Sequence, residues 1–158
     1  LFHRSGCRVI NVGIESSDPT ILGNVNRRVI ELDYQKRMID YADKLGIRIT
    51  AFYVLGLEGE STQSIEKTIE YAKWLNTYVA QFFINTPFPG TIGYEKSKNG
   101  LIESDWEKFD CYTPVFNNGK ISASQLESLK EKAFVSYYYR SKYLWYFMKR
   151  VSKALLKG

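Results

Sequence analysis

Three β-branched, alternating segments each run into a short constrained loop and then into a helical pattern or crossover, and this succession most restricts what the chain can fold into. The loops are Gly13-Ile14-Glu15-Ser16, Gly56-Leu57-Glu58-Gly59-Glu60 and Asn85-Thr86-Pro87-Phe88-Pro89-Gly90-Thr91. Strand, helix, strand, helix, strand implies parallel pairing with right-handed crossovers. All three loops then open on one rim, at the carboxyl ends of the strands, where parallel α/β folds place their ligands. A shared site on that rim is the first expectation.

Residues 8–15, 47–55 and 78–84 read as the strands. In each, one face is almost wholly apolar and the other mixed. Ile10, Val12 and Ile14 oppose Asn11, Gly13 and Glu15; Ile49, Ala51, Tyr53 and Leu55 oppose Arg48, Thr50, Phe52 and Val54; Ala80, Phe82 and Ile84 oppose Gln81, Phe83 and Asn85. A doubly wound sheet would be apolar on both faces, whereas a barrel keeps helices outside and tolerates polar side chains near its mouth. The fold expected is α/β, a partial (β/α) TIM-like barrel of three parallel strands followed by carboxy-terminal helices. Glu15, Thr50, Gln81 and Asn85 should face inward. Three strands cannot close a barrel, so further strands are expected upstream, and Leu1-Phe2-His3 reads as an internal cut in a longer polypeptide.

The first crossover helix should span 33–45, burying Met38, Tyr41, Ala42 and Leu45 and ending at Gly46. The second should span 62–75, capped by Ser61 or Thr62, with Ile65, Ile69, Ala72 and Leu75 or Trp74 buried. Ser122 and Gln125 have capping-box spacing and open a helix to about 139, and a last helix follows over 141–156. Residues 1–94 are read as the barrel half and 95–158 as a mainly helical extension.

Composition removes several function classes. With 44% hydrophobic and 15% aromatic residues in 158, there is material for one packed core. The longest charge-free stretch, 76–94, is interrupted by Asn, Gln, Thr, Gly and two prolines and cannot span a bilayer. Cys7 and Cys111 are remote from each other and His3 is the single histidine, which disfavours a disulfide scaffold, a self-contained metal site and a His-activated nucleophile. A reducing cytoplasm fits. The net charge of +5 is concentrated: from Lys132 onward there are seven basic and no acidic residues, leaving 15 basic against 17 acidic in the rest.

Glu15, a carboxylate ending an apolar strand on its mixed face, is placed to accept hydrogen bonds from ribose hydroxyls or an ammonium group, or is simply a solvated strand-end acid. The Gly56 loop brings backbone N–H groups to a helix start, where acceptor atoms bind, but it is neither a Walker loop nor a dinucleotide fingerprint; a plain tight turn is the other reading. Glu60 there serves equally as a first-turn acid complementing the helix dipole. The two prolines around Phe88 build a rigid wall for a flat ligand, or merely end a strand.

A strand ending Gly-Ile-Glu-Ser, a strand ending Leu-Gly-Leu-x-Gly-Glu-Ser and a strand ending Thr-Pro-Phe-Pro-Gly-Thr-x-x-Tyr, in that order, strongly resemble the second half of the radical S-adenosylmethionine (SAM) core. The likeness is greatest to the branch whose members often carry a cobalamin-binding domain. It covers about residues 5–94 and continues more weakly through Trp106, Thr113-Pro114-Val115 and Tyr139-Arg140. The resemblance implies that Glu15 and Ser16 contact the ribose or methionine part of SAM and that Leu55, Gly56 and Leu57 lie by the adenine, mostly through backbone. It also implies a [4Fe-4S] cluster, whose electron cleaves SAM reductively to start radical chemistry, and leaves cobalamin as an optional further cofactor. The cluster's C-x-x-x-C-x-x-C motif is absent, so its ligands are expected upstream, no metal ligand or catalytic residue is assigned here, and the fragment is not expected to act alone. Glu58 replaces the proline common in the second motif.

The last helix carries Leu144, Met148, Val151 and Leu155 as a narrow apolar stripe, with Lys142, Lys149, Arg150, Lys153 and Lys157 elsewhere on its surface. It either docks on the barrel, completing or covering the substrate side, or lies on an anionic membrane surface. The partners expected are a small-molecule or lipid-like substrate, the missing amino-terminal part of the same protein and that membrane surface, with no nucleic acid. The rival to the enzyme is a non-catalytic α/β binding module whose basic tail contacts membrane or nucleic acid; a third reading, a phosphate-binding α/β enzyme, rests on the Gly56 loop alone.

Overall fold

The computed structural model describes residues 1–155, so Leu156 and Lys157 of the tail lie outside the described residues. Three strands, β1 (Val9–Glu15), β2 (Arg48–Leu55) and β3 (Val79–Ile84), form one parallel sheet in the order β1-β2-β3. Register pairs Val12 with Ala51 and Ala51 with Ala80, keeping the apolar faces of all three strands on one side. Along β2, Ile49, Ala51, Tyr53 and Leu55 are buried while Thr50, Phe52 and Val54 are half-buried, the asymmetry of a barrel wall with helices on one face.

Among the described residues six α-helices accompany the sheet: α1 (Pro19–Asn24), α2 (Leu32–Lys44), α3 (Thr62–Leu75), α4 (Ile92–Ser97), α5 (Ala123–Tyr138) and α6 (Ser141–Leu155). α1 lies where sequence reading gives only a loop; Asp18 caps it, Oδ1 accepting from Thr20 N at 2.9 Å, with Pro19 in its first turn. α2 corrects the expected inner face. Ile39 is buried, with Leu32 and Ala42 packed beside it, while Met38, Tyr41 and Leu45 are exposed. The apolar surface of α2 is wider than one stripe, and only the flank facing β2 and α3 has a partner. Gly46, in the left-handed region at φ +75°, ends α2. In α3, Ser61 is the cap and Leu75 is buried, whereas Trp74 is largely exposed.

Ser122 and Gln125 form their capping box, and α5 then lays Leu126, Leu129, Ala133 and Tyr137 into the same core as β2, β3 and α3. The core thus runs without interruption across position 94. Between α4 and α5, Leu101 bridges Phe116 in an antiparallel clasp.

α6 lies at the end of the sheet opposite the three loops. Its Tyr143 hydroxyl donates to the Tyr78 carbonyl (3.1 Å), just before β3, and Tyr146 donates to Asp43 (2.7 Å), before β2. A tail over the substrate side was expected; Tyr143 and Tyr146, not the Leu144–Met148 stripe, dock the helix, and they dock it at the strands' amino ends. The side chains of Arg150, Val151, Lys153 and Leu155 lie outside those described.

Candidate cofactor-binding rim

Parallel pairing delivers the three loops to one rim, and side chains tie them together there. Glu60 is the knot. Fully buried, its carboxylate accepts from Gly56 N (2.7 Å) and Leu57 N (3.0 Å) within its own loop and from the Ser16 hydroxyl (3.4 Å) of the first. Burial pushes its pKa up to about 7, against hydrogen bonds from Leu57, Gly56 and Ser16 that pull the other way. The expectation of a first-turn acid complementing the helix dipole is therefore corrected: Glu60 precedes the Ser61 cap, and its carboxylate turns back under the loop because two otherwise orphaned N–H groups point at it.

Ser16 is fully buried, and its hydroxyl also meets Thr68 of α3 (3.3 Å) and receives Asp18 N (3.2 Å). Its side chain thus anchors the first loop to the second crossover. Leu55 and Leu57 are buried, and Gly56, at φ +84°, lies where an added Cβ would stand 2.9 Å from Leu126 Cδ2 of α5. The third loop joins through Asn85, which donates from its backbone to Leu55 O (2.8 Å) and from its side chain to Gly56 O (3.3 Å). Phe88 is exposed.

Glu15 is placed by an irregularity. The β1–β2 register slips between Gly13 and Glu15, and Glu15 adopts φ +64°, a left-handed conformation unusual for a non-glycine. The carboxylate consequently folds back over Gly13, where an added Cβ would come within 2.7 Å of Oε1. The slip pairs Glu15 with Tyr53 of the buried face, yet its carboxylate, lying over Gly13, is turned to the face that Gly13 shares with Phe52. Arg27 completes this corner with a 2.6 Å ion pair to Glu15 Oε1. Sequence reasoning passed over Arg27; its signal was a basic pair, Arg27-Arg28, in the crossover leaving that strand. On the same face, Phe52 and Phe83 (ring centres 5.7 Å apart) and Phe83 and the exposed Tyr112 (5.4 Å) form an aromatic floor. Beside the rim a cavity of about 460 Å³ opens between Glu58-Gly59, Asn85-Thr86-Pro87 and residues 116–118.

The two cysteines do not make a metal centre. Cys7 precedes β1 at the amino end of the sheet, whereas the Cys111 carbonyl accepts from Ile84 N at the carboxyl end of β3. Among the described residues no group of three His, Cys, Asp or Glu side chains is arranged to hold a metal ion. These residues do not fit an iron–sulfur cluster, while the Glu15–Arg27 corner, with its adjacent opposite charges, fits a zwitterionic ligand. Among the described residues no helix is long and apolar enough to cross a membrane.

Comparison with known proteins agrees with this geometry. No family model matches the chain. Over 141 residues, 88% of its length, the chain is 32% identical to an uncharacterised methyltransferase of Pyrococcus horikoshii, of which it spans 30%. Its fold matches that of coproporphyrinogen III oxidase from Escherichia coli, a radical SAM enzyme, with a TM-score of 0.62 over 87% of the chain and 27% of that protein at 12% identity. It also matches TsrM, a radical SAM methyltransferase of Kitasatospora setae seen with cobalamin and a [4Fe-4S] cluster, at TM-score 0.55 and 21% identity, over 62% of the chain and 20% of that protein. The chain thus spans under a third of each of these proteins. Its fold is that of a portion of the barrel core of radical S-adenosylmethionine enzymes.

Proposed function

We propose that this chain supplies the SAM-holding rim of a radical SAM methyltransferase. The observation that carries the reading is the Glu15–Arg27 pair, held over the lumen side of β1 at a rim that Glu60 and Asn85 knit from three strand ends. Glu15 would receive the ammonium or ribose hydroxyls of SAM and Arg27 its carboxylate, the existing ion pair opening to admit both. The Gly56 carbonyl and the neighbouring backbone would flank the adenine. Bound SAM supplies the methyl group or radical equivalent; the chain orients it and excludes water, and the iron–sulfur ligands come from another part of the protein. The aromatic floor of Phe52, Phe83 and Tyr112 suits a substrate with a flat apolar body. Methyl transfer is favoured by the names of the Pyrococcus and Kitasatospora relatives, and the latter makes cobalamin a candidate cofactor.

The test is anaerobic turnover by the full-length protein with reductant and SAM. Formation of S-adenosylhomocysteine or 5′-deoxyadenosine, dependent on the reconstituted cluster, is expected. Cluster assembly without SAM consumption would leave a binding module instead.

A further inference from the structure

We propose that α6 is an interfacial helix that seats the amino-terminal end of the sheet on an anionic phospholipid bilayer, with the SAM rim directed away from the lipid. Docking through Tyr143 and Tyr146 uses one side of α6. At 3.6 residues per turn, Phe147, Leu144 and Met148 fall within an arc of roughly 100° on another side, with Trp145 at its border. These four are exposed, Trp145 by 64% and Met148 by 69%. Lys142 and Lys149 lie together roughly 40–60° beyond Trp145, on the side away from Phe147, and Lys149 Nζ stands 5.0 Å from the Trp145 ring centre. A large aromatic and apolar face edged by lysines is what a helix lying in the headgroup layer presents: apolar groups enter the acyl boundary while cations meet lipid phosphates.

Charge decides between lipid and protein as occupant. Lysine is depleted at protein–protein interfaces, yet here it borders the apolar arc, and from Lys132 onward the chain has seven basic and no acidic residues while the remainder is slightly acidic. Of these, Lys132 pairs with Glu66 and Arg140 closes the end of α3, which leaves Lys142 and Lys149 as described cations of α6 for a negative surface to attract. Placement agrees, since α6 touches Asp43 and Tyr78 before β2 and β3 and a bilayer there leaves the rim unobstructed.

The experiment is co-sedimentation of the full-length protein with vesicles of phosphatidylcholine alone or with phosphatidylglycerol. Binding should require phosphatidylglycerol and fall steeply at about 0.5 M salt, where the Debye length is only a few ångströms. The double variant Lys142→Glu/Lys149→Glu should lower partitioning at least about tenfold, and Leu144→Ser/Met148→Ser should do the same with secondary structure retained. Failure to bind, binding indifferent to lipid charge, or variants that partition like the parent would overturn the proposal. So would a dimer in solution that Trp145→Asp dissociates, which would make a second copy the occupant.

Discussion

Gly13 and Gly56 separate the ligand's needs from the fold's. Gly13 has ordinary strand geometry, and the group a Cβ would meet is the flexible end of Glu15. Gly13→Ala should therefore leave the melting temperature nearly unchanged while displacing the carboxylate and weakening SAM binding; isothermal titration and a thermal melt on the same sample read the two effects. Gly56 is the opposite case. Its φ of +84° and the Leu126 contact make Gly56→Ala a stability defect, with the left-handed backbone alone costing roughly 1–2 kcal/mol, visible as a lowered denaturation midpoint. Glu60 adds a pH dependence. Its pKa rises from 4.5 to about 7 on folding, so the folded chain binds this proton more tightly than the unfolded. That contribution to stability is fully present below about pH 4.5 and is lost as pH rises through 7. Glu60→Gln, neutral throughout, should flatten the decline between pH 5 and 8, a difference of about 3 kcal/mol at most, measured by urea denaturation at both ends. An unchanged slope in the variant would show that Glu60 is not its source.

At the scale of elements, periodicity carried the strands and the second crossover because each buries one regular stripe. Ser61, Ser122 and Gly46 could be read directly, since a cap or a left-handed terminus needs particular residue types. α2 was misplaced around its axis because Tyr34, Met38 and Tyr41 make a second apolar flank that periodicity cannot rank against the first. Arg27, the Glu60 knot and the β1 register slip were not legible: each depends on which groups meet across 12 to 44 positions of sequence, and composition does not encode that. The α5–α6 break is another such place. Arg140 stacks on Tyr137 (4.2 Å) and donates to the Lys73 carbonyl and Asn76 Oδ1, closing the end of α3. Tyr137, fully buried, donates to Thr77 O at 2.6 Å. Tyr137→Phe should thus destabilise by about 1–3 kcal/mol through an unsatisfied carbonyl, with SAM affinity retained because this contact lies at the opposite end from the rim.

For the whole molecule, β1 forms one edge of the described sheet, in a chain that spans 30% of its Pyrococcus relative. A hollow of about 450 Å³ lies against that edge, its apolar wall made by Val12, Ile14, Leu22, Ile30 and Met38 and its mouth by Glu15, Arg27 and Arg28 of the rim corner. Unpaired edges are pairing templates, so the complete protein should cover this one with a preceding βα unit. Hydrogen exchange of the β1 amides should be far slower in the full-length protein than in residues 1–158 alone; equal rates would mean the edge stays bare. The rim, however, is the centre of the account, and SAM affinity tests it most directly. Calorimetric titration of SAM into the reconstituted full-length protein should show Glu15→Gln binding at least about tenfold more weakly than the parent, the cost of a charge-assisted hydrogen bond, with an unaltered thermal midpoint. The parent's affinity, retained in that variant, would contradict the assignment of the rim.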